Sequence, residues 1–240
     1  MMKYILFFIA LVMVLIQACG QSPEYGKQPL VLDDFKFDLD IAHFFRDERI
    51  FRYTHDDFSV SSEEYRLDDD SLMTGFITYS TRSMSTSRPL ASYAGVQFED
   101  IGLVTDWEDE QVLMVYGGTS YGETEDIRKV IDGLKSEFNN QAIIEKGGFM
   151  RNETLYILFK GDRKVAKLAV NLPDVDTLVP DDLEDGSDAG QPLTPEIAAA
   201  IENQLREREE ITFHLFVSTP EMDEVMKDLR GRSGFLVDYR

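Results

Sequence analysis

The amino-acid sequence predicts an α+β fold, a mainly antiparallel sheet with about three helices packed on it. The first observation is the order of elements in residues 98–172, where apolar patterns indicate strand, strand, helix, strand, strand and strand. The second is that short turns join these strands, and antiparallel neighbours need only short connections. With 240 residues, of which 43% are hydrophobic, the chain is long enough to bury a sizeable core.

The first two strands of this region form a predicted hairpin. Ile101 to Trp107 and Gln111 to Gly117 are rich in β-branched and apolar residues, and three acidic residues at 108–110 separate them. A helix follows, with Thr124 as its predicted N-cap. Its apolar residues recur at helical spacing, at Ile127, Val130, Ile131, Leu134 and Phe138.

Three further strands complete the region, at 141–146, 154–160 and 163–172. Gly161 and Asp162 are a predicted two-residue hairpin turn between the last two strands. Residues 173–192 then interrupt the pattern, because seven acidic residues and no basic residue lie between Asp174 and Asp188. We expect an exposed loop there, at which the domain is open to subdivision.

The same helix-start pattern occurs twice in residues 194–239. Thr194-Pro195-Glu196 and Thr219-Pro220-Glu221 both place threonine at the N-cap, proline at the first helical position and glutamate in the first turn. Gly231 is predicted to follow the second helix. Between the helices, Ile211 to Ser218 alternates as a strand with four apolar residues on one face, and 235–239 is predicted as a short final strand.

Residues 35–98 carry few helix signals and are predicted to be mostly strand and loop. Phe35 to Leu39 alternates apolar and charged residues, which is typical of a short strand. Phe44 to Tyr53 is compatible with a short helix followed by a strand. Gly75 to Ser83 is a clearer strand, because it alternates β-branched and aromatic residues with polar ones.

The first nineteen residues have the composition of an export signal. Lys3 supplies a positive start, residues 4–16 are thirteen apolar residues without a charge, and Cys19 follows shortly after. Thirteen residues are too few for a helix that crosses a membrane, which needs about twenty. The pattern therefore predicts export of the protein and not a membrane-spanning segment.

Ile16-Gln17-Ala18-Cys19 resembles the lipobox of bacterial lipoproteins, which has an aliphatic residue at −3, a small residue at −1 and then cysteine. The resemblance implies cleavage before Cys19, a diacylglyceryl thioether on its sulfur and usually an N-acyl chain such as palmitate. It implies a protein of the bacterial cell envelope, held to a membrane by this lipid anchor. Gly20 stands where an aspartate can signal inner-membrane retention, which favours the outer membrane in a cell with both.

These features predict three parts: a lipoprotein signal peptide at 1–18, a flexible tether at 19–34 and a single α+β domain at 35–240. Cys19 is the only cysteine of the chain, so the domain has no disulfide and depends on its core for stability. The alternative for the first part is an ordinary cleaved signal that happens to contain a cysteine.

The chain is strongly acidic, with 45 acidic and 24 basic residues and a net charge of −21. Nucleic acids and anionic lipid headgroups bind basic patches, so this charge argues against both as partners. It is compatible with a solvated surface, with bound cations or with a basic protein partner.

The sharpest catalytic candidate is Ser120, at the centre of Gly118-Thr119-Ser120-Tyr121-Gly122, which matches the G-x-S-x-G pattern of a nucleophile elbow. His214 lies downstream as a candidate base. A plain turn is the simpler interpretation, because the helix signals start only at Thr124 and His214 lies within a strand pattern. The surrounding strands also form hairpins and not parallel βαβ units. The segment nearly matches a P-loop too, but Glu123 replaces the phosphate-binding lysine.

No cofactor is predicted. The acidic loop offers candidate Ca²⁺ ligands, because Ca²⁺ prefers carboxylate oxygens; they are Asp181, Asp182, Glu184 and Asp185. An EF-hand that starts at Asp181 fails, since leucine and proline fall at two of its ligand positions, and a solvated loop is the simpler interpretation. Arg230 and Arg232, with Arg240, are a candidate anion site, although their charge also suits the end of a helix.

The sequence thus favours a lipid-anchored envelope protein that is a non-catalytic interaction or structural module with an unidentified protein partner. Two alternatives remain open. One is a serine hydrolase that uses Ser120. The other is an acidic protein that responds to Ca²⁺ or binds a basic partner, as an inhibitor or immunity protein does.

Overall fold

A computed structural model confirms the α+β class, with one large antiparallel sheet and three helices of more than one turn. Its described residues are 22–46, 60–67, 74–81, 88–108, 111–139, 142–147, 154–179, 190–206, 208 and 210–239.

The central sheet has nine strands, and every neighbouring pair is antiparallel. All described strands, in chain order, are β1 Leu30–Val31, β2 Val60–Arg66, β3 Gly75–Thr81, β4 Ala91–Tyr93, β5 Val96–Phe98, β6 Asp100–Asp106, β7 Val112–Gly122, β8 Ala142–Gly147, β9 Thr154–Lys160, β10 Val165–Asn171, β11 Gln191–Pro192 and β12 Ile211–Ser218. The order across the central sheet is β11-β8-β9-β10-β12-β7-β6-β3-β2. A small sheet, β1-β4-β5, packs into the same core as one face of the central sheet.

The helices cover both faces of the central sheet. They are α1 Ile41–Phe44, α2 Thr124–Glu137, α3 Pro195–Arg206 and α4 Pro220–Asp228. We call the side that packs against α2 and α3 the first face, and the side that packs against α4 the second face. No helix in the described ranges combines the length and apolar character needed to cross a membrane.

The two predicted proline-started helices, α3 and α4, have the predicted threonine caps. The Oγ1 of Thr194 accepts a hydrogen bond from the N–H of Ile197 at 3.3 Å, and that of Thr219 accepts one from Met222 at 3.2 Å. The predicted cap of α2 is wrong by one residue. Glu123 is its N-cap, and the N–H of Glu123 donates to Asp126.

Strand β12 lies near the centre of the sheet and follows the predicted alternation. Its first-face residues, all in the larger core, are Ile211, Phe213, Leu215 and Val217. Phe216 and Ser218 are buried on the second face. Strand β10 is likewise buried on both faces from Val165 to Val170. Both sides of the sheet centre are therefore shielded from water.

The predicted final strand at 235–239 is wrong, because Gly234–Asp238 forms a 3-10 turn. A strand would send Phe235 and Leu236 to opposite sides, whereas both side chains are buried in the second-face core. The predicted two-residue turn at Gly161 and Asp162 is also wrong, because the observed connection is longer. The N–H of Gly161 donates to the carbonyl of Lys164 at 2.9 Å, which makes a four-residue loop between β9 and β10.

The predicted strand at 35–39 is also absent. Phe37 has φ of +61°, which turns the chain, and its ring packs against that of Phe35 with 5.3 Å between centroids. A compact aromatic turn therefore replaces an extended strand. The predicted helix at Phe44 is present as α1, while residues 47–59 lie outside the described part of the chain.

The predicted tether is shorter than 19–34. Tyr25, Leu30 and Leu32 are buried in the first-face core, and β1 pairs in parallel with β4. The N–H of Tyr25 donates to the carbonyl of Phe44 at 2.9 Å. The physical reason is that burial of these three apolar side chains stabilises the packed segment, whereas a solvated tether would leave them exposed to water. The folded domain therefore starts near Tyr25, ten residues before the predicted boundary at Phe35.

Candidate functional site

The second face of the central sheet carries several buried ionisable side chains whose pKa values are shifted. Helix α4 covers it together with the segment Leu229–Tyr239, which we call the closing segment. Two polar clusters lie beneath this cover. One is centred on His214 of β12, and the other on Lys167 of β10.

The first cluster joins β12, β7 and the closing segment. The hydroxyl of Tyr116 lies 2.7 Å from Nδ1 of His214, and Nε2 of the same ring lies 3.9 Å from Oδ2 of Asp238. Gly118 stands directly opposite His214 in the sheet. A side chain at position 118 would overlap the Tyr116 hydroxyl, so the glycine makes room for the hydrogen bond.

Burial dominates the titration of this cluster. It lowers the pKa of His214, and the carboxylate of Asp238 opposes that shift. Burial also raises the pKa of Tyr116, with smaller contributions from Asp100 and Asp238. The pKa of Asp100 itself is raised by burial and by the neighbouring Glu99. The closed structure therefore favours a neutral imidazole hydrogen-bonded to a neutral phenol.

The second cluster is a buried ion pair. Lys167 and Asp223 are each 2% exposed, and their Nζ and Oδ1 atoms are 3.8 Å apart. The hydroxyl of Tyr239 donates to the Asp223 carboxylate. The Tyr239 ring also lies under the ammonium group, with 4.1 Å from Nζ to the centroid. Three elements, β10, α4 and the closing segment, meet at this pair.

Burial lowers the pKa of Lys167 to about 8, although Asp223 acts in the opposite direction. It also raises the pKa of Tyr239, with a further contribution from Asp223. A lysine with such a pKa could act as a base or nucleophile in an open site. Here the ammonium group lies beside Asp223 and the ring of Tyr239, and the site is closed to solvent. The arrangement therefore fits a role in joining three elements.

Ser120 does not lie on a nucleophile elbow. The predicted turn at 118–122 is instead the last part of β7, which continues through Gly122, and Ser120 is exposed within that strand. The ring nitrogens of His214 face Tyr116 and Asp238, not Ser120. The second glycine of the motif, Gly122, has a packing role, since a side chain there would overlap the ring of Phe213.

The remaining predicted site residues stay apart from these clusters. Arg232 donates to the carbonyls of Tyr239 and Met226, which makes it a brace of the closing segment, while Arg230 is exposed. Arg240 lies outside the described residues, and so do Cys19 and the candidate Ca²⁺ ligands Asp181, Asp182, Glu184 and Asp185. Within the described ranges, no three His, Cys, Asp or Glu side chains are placed to hold a metal ion.

Sequence reasoning did not single out Lys167, Asp223, Tyr116, Tyr239 or Asp238. A signal was present for Lys167, because it interrupts the apolar run of β10 at a position with apolar residues on both sides. A strand buried on both faces must bury such a lysine. The other four residues carry no comparable local signal, since only the fold brings them to the second face.

No known protein family, curated protein or solved structure matches this chain.

We expect Gly118→Ala to destabilise the domain by about 1–3 kcal/mol, the usual cost of overpacking a well-packed site. The added methyl group would displace the Tyr116 hydroxyl and lie 3.1 Å from Nδ1 of His214. Urea denaturation measures the change. Ser120→Ala is the matched control from the same strand and should stay within about 0.5 kcal/mol, because Ser120 is exposed. Equal stability of the two variants would contradict the packing role of Gly118.

We expect Lys167→Met to cost about 3–5 kcal/mol, because it leaves the buried Asp223 carboxylate without its ammonium partner. Lys227 lies 3.8 Å from Asp223 but is 40% exposed, so solvent screens its charge. Adding Asp223→Asn should restore part of the loss, with a coupling energy of about 0.5–3 kcal/mol in a double-mutant cycle. Lys160→Met, at an exposed position of β9, is the control. Strict additivity would show that the two charges do not interact.

Proposed function

We propose that the protein is a lipid-anchored component of the bacterial cell envelope whose folded domain is a non-catalytic binding or structural module. One observation carries the choice of module over enzyme. Lys167 and Tyr116, two strongly perturbed side chains of the described residues, are closed beneath the closing segment and bonded to internal partners, and Tyr93, whose pKa is also raised by burial, is buried in the first-face core and donates to Glu137.

The burial of these groups and their bonding to internal partners both support this proposal. The side chains of Lys167 and Asp223 are each 3% exposed, so a substrate could reach them only after the cover had moved. The Tyr116 hydroxyl already bonds His214. A catalytic group needs hydrogen-bond reach to a substrate, whereas these groups reach each other.

The anchor part of the proposal rests on the lipobox-like sequence that ends at Cys19. Only six peptide steps separate Cys19 from Tyr25, where the packed domain starts. Six steps span at most about 20 Å when fully extended. Two or three acyl chains, at about 0.8 kcal/mol per buried CH₂ group, would hold such a domain firmly and close to the membrane surface, with the outer membrane favoured.

The acidic surface indicates the kind of protein partner. Glu63 and Glu64 are exposed on β2, and β2 ends the central sheet within the described residues. An edge strand offers backbone groups for pairing, and like charges oppose pairing with a second copy. A basic extended segment of another protein fits both properties, in keeping with the inhibitor or immunity type of binder.

Replacing the predicted lipid attachment site should release the protein from the membrane. We expect Cys19→Ser to move it from the membrane fraction to the soluble fraction of the envelope or to leave its signal uncleaved. Intact-mass analysis of the wild-type N-terminus should find an acylated Cys19. Ser22→Ala, close to Cys19 in sequence, is the control and should remain in the membrane fraction. An unacylated Cys19 in the wild-type protein would contradict the anchor.

Capture from bacterial envelope extracts tests the binding role. We expect tagged full-length protein to retain a basic protein at low salt and release it at high salt, because salt screens exposed charges. Glu63→Lys/Glu64→Lys should reduce this capture several-fold. Glu108→Lys/Asp162→Lys changes the net charge equally at other exposed positions and is the control. Equal capture by the two variants would contradict a specific acidic edge.

A further inference from the structure

The two ends of the central sheet differ in how open they are to another strand. Strand β11, at one end, has two residues, and one of them is Pro192, which has no N–H group to donate. Strand β2, at the other end among the described residues, pairs with β3 over seven consecutive residues without a bulge or a proline. Short edges and prolines block the addition of a strand, whereas a long regular edge favours it. The β2 edge is therefore the end suited to receive a strand.

Alternate backbone groups of β2 point away from β3. The N–H of Leu67, just after β2, donates to the carbonyl of Thr74 at 3.5 Å. The carbonyl of Glu63 accepts a hydrogen bond from the Oγ1 of Thr78, which lies directly opposite, at 3.4 Å. Odd-numbered residues thus direct their backbone groups towards β3, and in an antiparallel ladder the residues between them direct theirs to the other side. The outward residues are Ser62, Glu64 and Arg66.

The side chains of β2 alternate between the two faces of the central sheet. Val60 lies in the first-face core and Tyr65 packs against the second-face core, so even-numbered residues lie on the first face and odd-numbered residues on the second. Glu63 and Glu64, both exposed, therefore place one carboxylate on each face. From residue 62 to residue 66 the edge carries, in order, a hydroxyl, two acidic groups, an aromatic ring and a basic group.

Neighbouring side chains hold three of these groups in place. The ring of Tyr65 stacks on Phe76 with 4.7 Å between centroids, and its hydroxyl donates to the Glu63 carboxylate at 3.3 Å. The guanidinium group of Arg66 lies over the ring of Trp107, 5.3 Å from the ring centroid. An added strand would meet groups whose positions are already set, which lowers the entropy lost on binding.

We propose that β2 receives an antiparallel strand of a protein partner in one register, with the order acidic, apolar, basic, basic and hydroxyl residue in the partner's chain direction. The proposal rests on the binding role of the β2 edge proposed above. Every neighbouring pair of the central sheet is antiparallel, and this pairing is the more stable kind per residue. The five partner residues face, in turn, Arg66, Tyr65, Glu64, Glu63 and Ser62.

Cross-strand pairs favour this register over its neighbours. Residues directly opposite in a sheet interact most, and opposite charges and apolar side chains stabilise the pair. A shift by one residue in either direction would take the acidic residue away from Arg66 and a basic residue away from one of the two glutamates. It would also move every partner side chain to the other face.

A second copy of β2 does not fit this edge. Two copies paired antiparallel through their outward residues, with the edges centred on each other, place either Glu63 or Glu64 opposite the same residue of the other copy. Like charges that face each other directly destabilise a strand pair. The edge is thus protected from self-association while it stays open to a basic strand.

Binding of synthetic peptides to the full-length protein in detergent micelles tests the proposal. The ordered peptide carries glutamate, valine, lysine, lysine and threonine in that sequence between flanking threonines. The control peptide has the same composition but separates the two lysines by the other three residues. By fluorescence anisotropy at low salt, we expect the ordered peptide to bind at least about fivefold more tightly, since opposite charges pair only in the ordered peptide. Equal affinities would overturn the register.

Exchange of charges between the two partners tests which residues face each other. Glu64→Lys, at an exposed position, should weaken binding of the ordered peptide about two- to fivefold. Replacing the first lysine of the peptide by glutamate should restore binding to this variant, whereas replacing the second lysine, which faces Glu63, should not. Glu108→Lys, an exposed change of equal charge away from β2, is the control and should bind as the wild type. Restoration by both peptides, or by neither, would contradict the proposal.

Hydrogen exchange at single amides locates the bound peptide. We expect the ordered peptide to slow exchange at the outward residues Ser62, Glu64 and Arg66, and to leave Glu63 and Tyr65 unchanged because their N–H groups already face β3. Slow exchange of the outward amides without peptide would mean that the edge is already covered, and the proposal would then be wrong.

The outcome for the register is separate from that for the binding role. Capture of a basic envelope protein that depends on Glu63 and Glu64, together with equal binding of the ordered and control peptides, would overturn the register and leave the acidic binding edge in place. Capture that is insensitive to these two glutamates would contradict the binding edge itself. Preferred binding of the ordered peptide, with restoration by the matched charge exchange, supports both.

Discussion

The central strands β10, β12 and β7 carry apolar side chains on both faces, so neither face of the sheet centre can be left to water. Burial of apolar surface is worth about 25 cal/mol per Å², which makes covering the second face as necessary as covering the first. Helices α2 and α3 and the Tyr25–Leu32 segment cover the first face. Among the described residues, α4, the closing segment and Leu67, which follows β2, reach the second-face core from outside the sheet.

Both polar clusters lie where α4 and the closing segment meet the second face. Lys167 must be buried because of its place in β10, and α4 brings Asp223 to neutralise it. Tyr239 and Asp238 then connect the closing segment to the buried Lys167 and to the partly exposed His214. Charged pairs inside a protein add little net stability but favour one arrangement over others. On this face they specify how the cover is seated.

Much of the architecture could be predicted from local patterns. The alternation of β12 and the threonine–proline starts of α3 and α4 appear in the structure as expected, because each is set by residues within one or two turns of chain. Tyr25 and Phe235 were misplaced for the opposite reason. Their conformations are set by contacts with residues distant in sequence, and a short apolar stretch can be satisfied by several local structures.

For the candidate sites, too, some features follow from local sequence and others only from the tertiary structure. By itself the sequence determined the α+β class, the acidic surface and the lipobox-like residues that end at Cys19, since composition and short-range spacing carry that information. Only the tertiary structure decided that Gly118 and Gly122 make room for aromatic rings and do not frame a nucleophile at Ser120. Only it brought Asp223 to Lys167 and Asp238 to His214. Such pairings join residues far apart in the chain, and packing of α4 and the closing segment on the sheet sets their distances.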